Sequence, residues 1–203
     1  MAHAITDASV MAPSPDAEEG AGVYNEKLGM WIFLLSEVMF FTALIGAYII
    51  LRFSHPDSFS APGTVLNVPL TAANTFLLIC SSVTMVKAYA SIADGNQQLL
   101  RRWLVATVII GAAFVGVQAY EYIHLARDGF VPSAGLYGST FYTMTGFHGF
   151  HVTMGVLCMI FVTWKAFAGR YTAADHRGVE VIGLYWHFVD LVWIILFTIV
   201  YLI

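Results

Sequence analysis

Three acids and three histidines lie deep inside long apolar stretches of the sequence: Glu37, Glu121 and Asp190, with His148, His151 and His187. An ionisable group in hydrocarbon costs on the order of 3 kcal/mol unless it is paired, neutralised or hydrated, so each needs a reason to be there. For the carboxylates one reading is a proton-handling or proton-sensing group, since desolvation favours the neutral form of an acid. The other is a structural acid, hydrogen-bonded to Ser36, Thr42, a tyrosine or a histidine on a neighbouring helix. His187 and Asp190 are three residues apart and could bond directly on one helical face. His148 and His151 have the same spacing. An HxxH pair can be a metal-ligand set, and histidines on two helices can hold a haem. Gly146, Gly149 and Gly155 surround this pair, however, and small residues let helices approach closely enough for interhelical hydrogen bonds. Gly111, Ala112 and Gly116 form a similar close-packing surface.

The elements that must position these groups follow from composition. Charged residues are 11% of the 203 and hydrophobic residues 59%, where a water-facing domain carries about 25% charge. A soluble enzyme and a disordered chain are excluded, and a net charge of −4 leaves no basic face for nucleic acid. A bilayer core is crossed by roughly 20 apolar helical residues. Five windows qualify, 28–51, 70–93, 103–126, 141–164 and 181–203. None shows the two-residue alternation of a barrel strand. The expected fold class is therefore all-α, a polytopic membrane protein with a five-transmembrane-helix bundle over residues 28–203. Residues 1–27 read as a mobile acidic N-terminal tail, without the basic start and apolar run of a secretory signal.

Orientation follows from the basic residues. Lys27, Lys87, Arg101, Arg102, Lys165, Arg170 and Arg177 fall on the side of the N-terminus, and Arg52 and Arg127 on the other. This bias places the N-terminus in the cytoplasm and the C-terminus outside. Glu37 and Asp190 each lie nine residues into an outward-running span, roughly 14 Å of helical rise. Two polar layers are expected: Glu37, His187 and Asp190 towards the inside, and Glu121, His148 and Tyr122 towards the outside. Trp31, Trp103, Trp164 and Trp186 are placed near inner helix ends, as an interfacial belt requires, whereas Trp193 is mid-span. Cys80 and Cys158 lie within spans and read as small apolar packing residues.

The runs WIFLLSEVMFF at 31–41, NTFLLICSSVT at 74–84, QAYEY at 118–122, YGSTFYTMTGFHGFHVTMG at 137–155 and YWHFVDLVWIILFTIVY at 185–201 closely resemble subunit III of the haem–copper cytochrome c oxidases. They touch all five spans in the family's order, and the combination of GFHGFHV with YWHFVD is specific. The family's long form has seven helices, and this chain resembles the short bacterial form that lacks the first two. Glu37, Phe147 and Val189 favour the cytochrome c branch over the related quinol-oxidase subunit III, where the first motif tends to carry Asp.

The resemblance implies a subunit with no metal and no redox centre, hence no catalytic residue. It would pack on a catalytic subunit I that holds haems and copper and reduces oxygen to water, alongside subunit II. Its implied roles are to hold structural phospholipids, to sustain proton uptake and to protect the catalytic subunit during turnover in the bacterial inner membrane. Glu37 matches the family's carbodiimide-reactive intramembrane acid, and Glu121, His148, His151, His187 and Asp190 match polar positions assigned to interhelical contacts. Lys165 stands where the long form has an arginine close to a lipid phosphate; it keeps the charge but loses the planar two-pronged contact. Lys87 replaces residues usual after the SSVT region and can extend to the inner interface. A stand-alone proton-coupled transporter using Glu37 and Asp190 is the contrasting reading, but no internal repeat or pair of broken helices supports it.

Overall fold

The computed structural model describes residues 24–60 and 63–202, and among these every long element is a helix. Helix α1 spans Asn25–Ser54, α2 Val68–Ala93, α3 Gln97–Arg127, α4 Leu136–Phe167 and α5 Arg177–Phe197. The last helix continues as a π turn over Thr198–Leu202. All five are long and apolar enough to cross a membrane. Each extends a few residues beyond its apolar window because polar ends still satisfy backbone groups by helix formation. Helix α1 begins at Asn25, two residues before the expected end of the tail at 27, and residues 1–23 lie outside the described residues.

The helix ends are written locally. Asn67 and Asn96 accept hydrogen bonds from the backbone amides of Leu70 and Leu99, capping α2 and α3. Helices α2, α3 and α4 stop in the same way, at Gly95, Gly129 and Gly169 with φ of +74°, +83° and +69°. In each, the residue after the glycine reaches back to a carbonyl of the last turn: Asn96 to Ser91, Phe130 to Leu125 and Arg170 to Lys165. A side chain at such a φ would be strained, so glycine is the residue that lets the chain reverse.

Helices α2, α3, α4 and α5 form a closed ring in which each packs on the next and α5 returns to α2. Helix α1 lies outside this ring, against α4 and α5. At the end where α1 begins, Lys27 and the Tyr24 hydroxyl both bond to Glu180 at the start of α5, and the Arg177 guanidinium lies 5.5 Å from the Tyr24 ring centre. Burial and the neighbouring Glu180 carboxylate push the Tyr24 phenol up, so it stays a donor.

The core is built around Trp186, which does not join an interfacial belt as its position near a helix end implied. It is fully buried, and its indole Nε1 donates to Ser81 Oγ at 2.9 Å. The ring fits because Gly111 and Gly155 face it: a methyl group at Gly111 would stand 2.7 Å from the indole, and one at Gly155 3.0 Å. Gly149 meets Gln118 in the same manner, whereas Gly116 and Gly146 have nothing within 4 Å and Ala112 is exposed, so only part of the expected small-residue surface packs. Trp31 and Trp164 are exposed and Trp103 is half-buried. Among the cysteines Cys80 is half-buried and Cys158 is exposed, so the latter is not an interior packing residue. Gly111→Ala should therefore lower stability by about 1–3 kcal/mol through overpacking, while Gly116→Ala should not. Thermal unfolding of the two purified variants beside the parent protein checks this.

Candidate functional site

Glu37 sits mid-helix on α1 and meets α4, not the His187 and Asp190 with which depth had grouped it. Its Oε2 lies 3.0 Å from His151 Nε2, an acid–imidazole contact at an angle outside hydrogen-bond geometry. His151 Nδ1 is 2.7 Å from the Phe147 carbonyl one turn earlier. A carbonyl only accepts, so Nδ1 carries a hydrogen and the neutral ring would present Nε2 as an acceptor. Phe40, Phe41 and Phe147 enclose the pair, with the Phe41 and His151 ring centres 5.2 Å apart. Glu37 and His151 are the only two of the six intramembrane ionisable groups in mutual polar contact among the described residues.

His148 shares the helical face of His151 but serves a different joint. It is fully buried, its Nε2 donates to the Val189 carbonyl on α5 at 3.1 Å, and its ring stacks on Trp193 at 4.7 Å. It makes no contact with Glu121, the partner that matching depth had implied. Glu121 instead accepts from the Tyr201 hydroxyl at 3.2 Å and lies 3.0 Å from the Thr71 hydroxyl, whose one proton it shares with the Asn67 carbonyl, joining α3 to α2 and the terminal π turn. Tyr122 bonds Thr145 at 2.6 Å, and Gln118 donates to the Thr145 carbonyl at 3.1 Å, joining α3 to α4.

His187 and Asp190 do not bond to each other. The imidazole Nδ1 faces Ser82 Oγ on α2 at 2.5 Å. Asp190 lies one turn further along the same inward stripe as Trp186 and Trp193. It is 4% exposed, and neither of its oxygens has a partner in hydrogen-bond geometry. Ser82 lies beside it, with its Oγ 2.5 Å from His187 Nδ1. The three histidines thus face α5, α1 and α2 respectively. Among the described residues no three His, Cys, Asp or Glu side chains converge as a metal-ligand set.

Lys165, at the end of α4, lines a groove of about 810 Å³ with Arg170, Arg177 and Glu26 at its polar end and Met30, Leu157 and Ile182 along its apolar wall. Its ammonium stands 5.1 Å from the Phe161 ring centre. Lys87 lies 4.6 Å from the Trp103 ring centre at the same end of the bundle. Sequence reasoning missed Thr71, Gln118, Thr145 and Tyr201, which partner the predicted residues. Their signal was the presence of polar side chains within apolar spans, but nothing local fixed which span each would meet.

Fold and site together define a polytopic all-α membrane protein in which Glu121, His148 and His187 join one helix to another and Asp190 is buried without a hydrogen-bond partner. The cytochrome c oxidase subunit III family model matches residues 20–203. The chain is 39% identical over 176 residues to cytochrome c oxidase subunit 3 of Thermostichus vulcanus, covering 86% of each chain. It is 41% identical to that of Synechocystis sp., covering 86% of this chain and 74% of the relative. The corresponding figure for Corynebacterium diphtheriae is 38%, over 87% of each. The chain belongs to the cytochrome c oxidase subunit III family.

If the Glu37–His151 contact couples α1 to α4, the effects of Glu37→Gln and His151→Ala on thermal stability should be non-additive by on the order of 1 kcal/mol. A double-mutant cycle on the purified protein measures this directly; additive effects would show that the two side chains act independently.

Proposed function

We propose that this chain is a non-redox accessory subunit of a proton-pumping terminal oxidase that reduces oxygen to water with electrons from cytochrome c. The observation that carries the reading is the divergence of the three intramembrane histidines. His148 is engaged by Val189, His151 by Phe147 and Glu37, and His187 by Ser82, on three different sides of the bundle. Haems and copper then reside in companion subunits I and II, and this chain supplies a shaped, lipid-compatible flank. Its orientation is N-terminus cytoplasmic and C-terminus outside in a bacterial inner membrane, supported by the excess of basic residues at the end of the bundle where α1 begins.

Within that role the Glu37–His151 pair holds a proton at mid-membrane depth and serves proton uptake by the neighbouring catalytic subunit. The groove beside Lys165, Arg170 and Arg177 suits a phospholipid phosphate, with acyl chains along its apolar wall. The quinol-oxidase alternative differs only in electron donor, which the donor preference of the purified complex decides.

Glu37→Gln should leave the haem content and the initial rate of oxygen reduction of the complex intact; haem loss on that change would instead assign a cofactor role. Deleting the chain should produce progressive loss of activity during turnover. Immediate, complete loss with haems still present would place this subunit in the reaction itself.

A further inference from the structure

Glu121 is a buried acid with a cavity beside it. The space is about 480 Å³, enough for on the order of ten waters. It lies between the segment from Val65 to Leu70, which leads into the first turn of α2, and the last turns of α3. Glu121 is 6% exposed, yet its side chain lines this space. It is six residues from the end of α3 at Arg127, roughly 9 Å of rise. His124 and Asp128 follow on the same helical face, both exposed, and line the cavity towards its mouth. A buried acid, an imidazole and a surface acid therefore succeed one another along one wall.

The other groups facing Glu121 offer no counter-charge. From α2 comes the neutral Thr71 hydroxyl, from the π turn Tyr201, from α4 the more distant Tyr142, and from its own helix Tyr122. Two neutral donors satisfy only part of a carboxylate's accepting capacity. The Glu121 charge is thus balanced by its own proton or by the contents of the cavity. We propose that Glu121 is a proton-exchange site, served by this cavity from the aqueous phase at the end of the bundle where α3 terminates. Exchange breaks the carboxyl O–H bond and delivers the proton to that aqueous phase past His124 and Asp128. The site is distinct from the Glu37–His151 pair, which lies on α1 and α4 and has no part in the lining.

The test uses the whole complex reconstituted in vesicles with the C-terminal end outward, treated with a water-soluble carbodiimide and glycinamide and read by peptide mass. Glu121 should acquire the adduct alongside Asp128, and Glu121→Gln should remove the Glu121 adduct alone. Leu70→Trp, on the cavity wall, should slow labelling of Glu121 about tenfold, as ~1.4 kcal/mol added to entry implies, and spare Asp128. Should Leu70→Trp reduce assembly, Val65→Trp narrows the same space and is read the same way. Labelling of Asp128 with Glu121 untouched would overturn the proposal, as would labelling unaffected by narrowing the cavity. Faster labelling of Glu121 by a lipid-soluble carbodiimide than by the water-soluble reagent would also overturn it, by placing the route in the bilayer.

Discussion

In hydrocarbon a polar group finds partners only inside the protein, and the arrangement of this bundle follows from that constraint. Apolar side chains gain little by moving from lipid to a helix interface, so close packing and hydrogen bonds must define which helices meet. Each neighbouring pair within the four-helix ring carries such a bond. Trp186 to Ser81 and Trp193 to Thr75 join α5 to α2, and Asn74 to the Phe114 carbonyl joins α2 to α3. Tyr122 to Thr145 joins α3 to α4, and His148 to the Val189 carbonyl joins α4 to α5. The donors are mostly neutral, which avoids the cost of isolated charge at depth.

Within that frame the ionisable residues divide by what surrounds them. Glu37 has an imidazole, Glu121 has two hydroxyls and a cavity, and Asp190 has neither oxygen in hydrogen-bond geometry. The same functional group thus has three chemical settings in one membrane domain, and the second opens towards an end of the bundle.

The number and extent of the spans were legible because a run of apolar residues of sufficient length admits one solution in lipid. The rotation of each helix about its own axis was not. His187 and Asp190 share a face by spacing, yet the imidazole turns to Ser82, which lies over a hundred residues away in sequence. Depth matching assigned Glu37 to His187 and Asp190 and Glu121 to His148, but depth says nothing of which face a residue occupies. Trp186 was read from its distance to a helix end alone. Its burial depended on Gly111 and Gly155, each on a different helix, leaving room for one indole. Tyr201 reaches Glu121 from a π turn in which two successive residues, Val200 and Tyr201, are both buried, a departure from helical periodicity that no sequence pattern announced.

Placing α1 outside a ring closed by the other four helices has a bearing on biogenesis. Among the five helices α1 is synthesised before both helices it packs on, and its docking surface is complete only with α5, which begins more than a hundred residues after α1 ends. At ordinary synthesis rates that interval is on the order of ten seconds. Until then α1 lacks the two helices it packs on, and it is the least buried of the five. Its association is then a late capture: Lys27 and Tyr24 find Glu180 only when the final helix begins to emerge.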